Sequence, residues 1–349
     1  MIMKKVFSVI LMFCTIATCL SGCGGEKRTT INVYNVGDYI DEEVLALFEE
    51  ENPDIKINYE TYYTNEEMYI KVKNKSSAYD VVFPSDYMVE RMTEEGLLNK
   101  INYDNIPNIK NIASQYMNLD YDPNREYTVP YMWGTMGILY NKDMVDEADM
   151  DSWKAMYDKK YSGEIFVLDS ERDIISITLK MLGYSMNSKD DKELEEAREA
   201  LVNQKPLVKA YCGDEVKDKM IANEGAMTIA WSGDAFYCME LNESLRYSVP
   251  KEGSNLWFDS MVIPITSKHQ AEAERFIDFM CRPDIALKNA EYIGYSTANE
   301  EARKLLDEEI RNDELRYPDL ATLDNMEIFA YDPELSEKYS ELWQQVKVN

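Results

Sequence analysis

Histidine is almost missing: the 349-residue chain holds one, His269, in the polar stretch SKHQAEAE. A Ser-His-Asp triad needs a histidine beside its nucleophile and an H-E-x-x-H metal site needs two, so neither chemistry is available. The chain also lacks G-x-S-x-G, Walker A, G-x-G-x-x-G and EF-hand loop patterns, which removes the nucleophile-elbow hydrolases and the common phosphate, dinucleotide and calcium sites. Cysteine is scarce, with six in all. Cys14, Cys19 and Cys23 fall in the first residues, leaving Cys212, Cys238 and Cys281. An odd number without short metal-type spacing gives neither a disulfide framework nor a zinc site, so these three read as small buried apolar residues. Positive charge is short as well. Lys and Arg number 37 against 65 Asp and Glu, a formal net charge of −28. Such a chain repels nucleic acid and anionic headgroups and attracts cations.

What is present begins with an address. Lys4 and Lys5 precede an apolar run from Val6 to Leu20, which ends in Leu20-Ser-Gly-Cys23. The run is too short for a confident membrane span and has the order of a secretory signal. Leu-Ser-Gly-Cys also resembles the lipobox of bacterial lipoproteins, so residues 1–22 are expected to be removed and Cys23 lipidated, with 23–30 as a flexible tether. Removing the leader takes away two lysines and no acids, so the mature chain is more acidic still.

From Thr30 onward short apolar strands alternate with amphipathic helices. INVYNV reads as a strand, Asp41 caps a helix over EEVLALFEE, and Asn52-Pro53 stops it. IKINYETY then reads as a strand, NEEMYIKVKNK as a helix capped by Asn65, and DVVFP as a strand before a helix opened by Ser85-Asp86. After a loop-rich middle the rhythm resumes with EIFVLDS, a helix through IISITLKML, the charged helix KDDKELEEAREALVNQ and MTIAWSGDAF. The charge run of that last helix is sufficiently explained as a solvated face. Strands separated by helices predict an α/β protein with mostly parallel sheets. The chain is long enough for two such units. The extended stretches 127–142 and 251–264 are the natural crossings between them.

Ligands of open α/β sheets sit at the carboxyl ends of strands. Those ends supply Asp38 and Tyr39; Ser85, Asp86 and Tyr87; Asp169, Ser170 and Asp173; and Trp231, Ser232 and Asp234. The stretch NLWFDSMVIP adds Trp257 and Asp259, which alternation places on one face with Met261. The recurring theme is an aromatic beside a carboxylate, which suits an organic ammonium. A charge-assisted hydrogen bond contributes roughly 1.5–3 kcal/mol and a cation–π contact about 0.5–2 kcal/mol. A linear polyamine, with ammonium ends and an apolar stem, matches both. Each residue has a plainer reading: either tryptophan alone is core packing, Asp41 and Asn65 are only caps, and Asp86 or Asp234 caps the helix that follows it. Tyr62-Tyr63 does not form a phenolate pair for iron, because adjacent strand residues point to opposite faces. Asp259 resists dismissal, since an acid inside an apolar strand is costly unless a cation or donor meets it. Two carboxylates are all that a glycoside hydrolase requires, so that class remains as the enzymatic alternative.

The successive segments YNVGDYI, YDVVFPSDYMV, YTVPYMWGTMGILYN, EGAMTIAWSGDAF, NLWFDSMVIP and AEYIGYSTAN are similar to the spermidine/putrescine-binding proteins of bacterial polyamine transporters, over nearly the whole mature chain. The resemblance implies a type II periplasmic-binding-protein fold, two α/β lobes hinged about a ligand cleft. The expected lobes are 31–136 plus 258–307 and 137–257 plus 308–349. It further implies a substrate-binding subunit of an ATP-binding cassette importer, monomeric, without cofactor, metal or catalysis. Its partners would be a polyamine and a membrane permease, and its place extracytoplasmic, tethered at the cell surface or in the periplasm. Carried over by motif, Tyr39, Ser85, Tyr87, Asp173, Trp231, Trp257 and Asp259 stand at ligand contacts. The two tryptophans wall the stem, Asp259 takes an amino group and Asp173 helps hold an ammonium end. The chain departs from the pattern at Val36, usually tryptophan, at Ser170, usually acidic, and around Ile328-Phe329, usually glutamine. Asp38, Asp86, Asp169 and Asp234 are the further acids at hand. The same fold binding another small cation is the nearest alternative.

Overall fold

A computed structural model describes residues 28–320, 323 and 325–348. The leader and Cys23 lie outside the described residues. Strands β1 (Thr29–Val36), β2 (Ile55–Tyr62) and β3 (Val81–Val82) form a parallel sheet in the order β2-β1-β3. The helices Glu42–Glu51 and Asn65–Lys73 make the crossovers. Asp41 caps the first, accepting from the Glu43 amide at 2.9 Å. The second is capped by Thr64 and not by Asn65. Asn65 instead spans to Ser85: its Nδ2 donates to the Ser85 hydroxyl and its Oδ1 accepts from the Ser85 amide, each at 3.1 Å. Alternation in β2 runs from Ile55 to Glu60 and then breaks, with Thr61 exposed and Tyr62 buried; Tyr63, just past the strand, is 92% exposed.

Strand β4 (Leu98–Asn99) leads to β5 (Val129–Asn141), thirteen residues that are all buried. β5 organises the second sheet. β6 (Ile165–Leu168), β7 (Val208–Cys212), β8 (Met227–Trp231), β9 (Leu245–Ser248) and β10 (Leu256–Met261) give the order β10-β5-β8-β6-β7, with β9 also against β5. β11 (Ile263–Pro264) pairs with β4, and β12 (Ser296–Thr297) pairs with β5. This sheet is mixed, contrary to the mostly parallel expectation. β5 runs antiparallel to β8, β9, β10 and β12, while β6 is parallel to β7 and β8. A strand that crosses between packing units cannot follow the strand–helix–strand rule within one of them.

Two apolar cores flank the middle of β5. Trp133 belongs to one, which includes Ile31, Phe48, Val82, Phe258 and Phe276, and Met136 belongs to the other, with Phe166, Ile175, Ile229 and Trp343. Gly134 and Thr135 lie between, opposite Trp257 and Leu256 of β10. Tyr317 and Phe329 pack in the first core, whereas Leu335 to Val346 of the helix Pro333–Val348 pack in the second. The segment around Glu327 is pinned to both. Its carboxylate accepts from Lys180 at 2.7 Å, and its backbone pairs with Ser254 and Leu256 at 3.0 and 2.8 Å. The three cysteines outside the leader are buried and free. No helix among the described residues is long and apolar enough to cross a membrane.

Candidate functional site

The site grows from the end of β10. β10 pairs residue by residue with β5 as far as Asp259, then shifts register, so that Tyr131 is passed over between Met132 and Pro130. The extra residue of the bulge, Tyr131, belongs to β5; Trp257 and Asp259 share one face of β10, and Met261 is buried in the core. Asp259 is bridged across to Ser85. The Tyr39 hydroxyl donates to Asp259 Oδ2 at 2.6 Å. Tyr131, freed by the bulge, donates its hydroxyl to the Tyr39 carbonyl at 3.0 Å, and its ring meets the Tyr39 ring edge-on at 5.5 Å.

Sequence reasoning missed the residue that completes this cage. Tyr295 stands 5.5 Å from the Tyr39 ring and 5.2 Å from the Trp257 ring, and its hydroxyl donates to Asp234 at 3.1 Å. Two glycines make room for the indole and the phenol. A Cβ on Gly134 would sit 2.6 Å from the Trp257 ring, and one on Gly233 would fall inside the Tyr295 ring. A glycine within a fully buried strand and another in the first turn of the helix Ser232–Leu241 are visible in the sequence as close-approach signals. Trp257 Nε1 donates to the Thr135 carbonyl at 3.4 Å. Trp231 is half-buried and packs against both cores.

The acids separate by their partners. Asp169 is exposed and paired with Lys347 at 2.6 Å. Asp234 lies 3.6 Å from Lys217 as well as accepting from Tyr295. Asp38 sits exposed in a left-handed turn at φ 50°. Asp86 is 1% exposed and spends both oxygens on backbone amides, Tyr87 at 2.7 Å and Phe258 at 3.0 Å, tying the helix Asp86–Glu94 to β10. Asp173 is buried beside Arg172 and the Ser170 hydroxyl. Asp259 meets the hydroxyls of Tyr39 and Ser85, with no lysine or arginine in ion-pair range among the described residues, whereas the Arg172 charge bears on both Asp173 and Asp86. Burial raises its carboxyl above the usual range, and the two hydroxyls offset part of that. Burial, reinforced by Asp259, holds the Tyr39 hydroxyl far above its ordinary value, so it stays a donor.

Tyr87 has a different fate. Its hydroxyl donates to Glu66 at 3.0 Å, and the guanidinium of Arg172 lies over its ring at 3.5 Å and over Phe329 at 4.8 Å. Two pockets open beside the cluster, one of about 80 Å³ touching Tyr295 and one of about 410 Å³ touching Leu256 and Phe329; Asp259 lines neither. Among the described residues no group of three or more His, Cys, Asp or Glu is placed to hold a metal ion.

Burial pushes the Asp86 carboxyl up to about 7, against the pull of its two amide donors. Between its ordinary value of 3.8 and about 7 the folded protein therefore keeps a proton that the unfolded chain has lost. Stability contributed at Asp86 falls as pH rises through that window: the cost is complete above about 7 and relieved towards 4. The melting temperature of wild type relative to Asp86→Asn should thus rise on acidification from pH about 8 to about 5. Parallel melting curves would show that Asp86 does not titrate in this range.

Comparison with known proteins agrees with this architecture. A sequence profile of bacterial extracellular solute-binding proteins matches residues 43–318. The chain is 36% identical to the spermidine/putrescine-binding periplasmic protein of Escherichia coli strain K12, over 99% of both chains. Among solved structures, the spermidine/putrescine transporter substrate-binding protein of Streptococcus pneumoniae is similar at TM-score 0.83 and 44% identity, over 92% of this chain and 99% of that one. A putative spermidine/putrescine ABC transporter protein from Listeria monocytogenes matches at TM-score 0.86 and 40% identity, over 91% and 99%. The fold is thus that of the two-lobed periplasmic binding proteins. With the profile match, the full-length identity and the shared fold together, the chain belongs to the bacterial extracellular solute-binding proteins.

Proposed function

We propose that this protein captures a polyamine, putrescine or spermidine, outside the cytoplasm and delivers it to the permease of an ATP-binding cassette importer, without catalysis. The carrying observation is Asp259: a carboxylate without a protein cation, held by Tyr39 and Ser85 and ringed by Trp257, Tyr39 and Tyr295. An ammonium satisfies such a carboxylate, and the rings take its charge and the methylene stem. The names of the relatives support the ligand class. Tyr87, Asp173 and Trp231 extend the contact along the cleft, whose lobes comprise 31–136 with 258–307 and 137–257 with 308–349, though Tyr317 and Phe329 pack with the former. Hinge closure over the ligand, a monomeric state and a lipid tether at Cys23 complete the reading.

Native mass spectrometry of the protein purified under gentle conditions should show a bound diamine or triamine that is lost on mild activation. A retained sugar or amino acid in its place would overturn the reading. Affinity should also fall on acidification, because a carboxyl raised by burial takes up the proton that competes with the ammonium. Binding that stays flat as the pH is lowered through the ordinary carboxylate range would contradict a role for Asp259.

A further inference from the structure

The Tyr295 ring bridges the two cores. Tyr39 and Trp257 of the first core meet it on one side, and Gly233 and Asp234, in the first turn of the helix Ser232–Leu241, meet it on the other. The pocket of about 80 Å³ that touches Tyr295 is also lined by Tyr237, Glu240 and Arg316. A phenol with open space beside it keeps its place only while the two surfaces it bridges keep a fixed spacing. Arg316 is built to hold that spacing. Its backbone is anchored on the first core: its carbonyl accepts from the Ser296 hydroxyl at 2.6 Å, and the next residue, Tyr317, packs in that core and accepts from the Thr297 amide at 3.2 Å. Its guanidinium reaches across to the helix Ser232–Leu241, where it lies over the Phe236 ring at 4.3 Å and donates to Glu240 at 3.1 Å. Phe236 belongs to the second core. The other terminal nitrogen donates to the Gly294 carbonyl at 3.4 Å, which shares one rigid peptide plane with the Tyr295 amide. One guanidinium thus holds both the peptide that carries the ring and the helix that receives it.

We infer that Arg316 is a positioning residue for ligand capture: it fixes the Tyr295 peptide against the helix Ser232–Leu241, so that the ring stays over the bound ammonium and slows its release. The inference rests on the polyamine reading and deepens it. Long-range electrostatics alone would have the opposite sign, since removing a cation from the protein favours a cationic ligand. The planar fork donates in two directions while its face covers a ring, which the single ammonium of a lysine does not reproduce.

Stopped-flow tryptophan fluorescence with putrescine, alongside the melting curve of each empty variant, tests this in wild type, Arg316→Gln, Arg316→Lys and Glu240→Gln. Arg316→Gln should release putrescine about tenfold faster, with association unchanged or faster. Arg316→Lys should fall between wild type and the glutamine variant, and it carries the test if the latter does not fold. Glu240 is the exposed partner, at 62%, so Glu240→Gln should change release by no more than about threefold. In a Tyr295→Ala background Arg316→Gln should have no further effect on release. Unchanged release from folded Arg316 variants, tighter binding, or an undiminished effect in the Tyr295→Ala background overturns the inference and leaves polyamine capture standing. No binding of putrescine by the wild type overturns both.

Discussion

Asp259→Asn is expected to weaken polyamine binding by about 100-fold or more while leaving the melting temperature of the empty protein unchanged or slightly raised. Asparagine preserves the shape and one acceptor for the Tyr39 hydroxyl, now 2.6 Å from the carboxylate. What it removes is the negative charge. Each charge-assisted hydrogen bond contributes roughly 1.5–3 kcal/mol, and two to one ammonium give a loss of the predicted size. The empty protein gains because a partly buried carboxylate with no compensating cation is a cost to folding. Asp169→Asn provides the contrast. It breaks an exposed pair with Lys347, a kind that typically contributes only about 0–1 kcal/mol, and affinity should stay within about twofold. Titration calorimetry with melting curves of each empty variant decides the matter. Equal losses from both substitutions would mean that net charge, and not the position of Asp259, controls binding.

Gly233→Ala should be nearly as damaging, and for a reason opposite to helix propensity. In an exposed helix this change stabilises by about 0.5–1 kcal/mol. Here the added Cβ falls inside the Tyr295 ring. The phenol must leave, giving up its hydrogen bond to Asp234 at 3.1 Å and its contacts with Tyr39 and Trp257. Overpacking of this sort costs about 1–3 kcal/mol, which lowers the melting temperature by roughly 1–4 °C in a protein of this size. Affinity should drop more than tenfold as the cage opens. In a Tyr295→Ala background the same substitution should cost nothing further in affinity, because the clash has gone. Additive losses in that double-mutant cycle would show that Gly233 acts through something other than Tyr295.

Much of this was legible in the sequence, and what was not has identifiable physical causes. Local rules placed Asp41 as a cap and separated Tyr62 from Tyr63, since both depend on neighbours along the chain. The pairing of Trp257 with Asp259 followed from alternation, which holds until the bulge. Asn65 was misread as a cap because its partner Ser85 is twenty residues away, beyond any local pattern. The same distance effect hid how the acids sort. Lys347 reaches Asp169 from 178 residues along the chain, and Lys217 reaches Asp234 from a different helix. Tyr295 was visible only as part of an I-G-Y segment. Gly233 signals a close approach, but nothing local announces that the approaching ring is that of Tyr295. The antiparallel character of β5 escaped because a strand shared by two cores obeys neither core's connection rule.

The central claim is that an uncompensated carboxylate in an aromatic cage seats an ammonium. Titration of the purified wild-type protein with putrescine at neutral and at mildly acidic pH tests it most directly. The account predicts saturable one-to-one binding at neutral pH, near or tighter than the micromolar level that corresponds to about −8 kcal/mol, weakening clearly on acidification. Absence of heat or saturation at millimolar putrescine and spermidine, in a folded protein that binds a neutral or anionic solute, would contradict it.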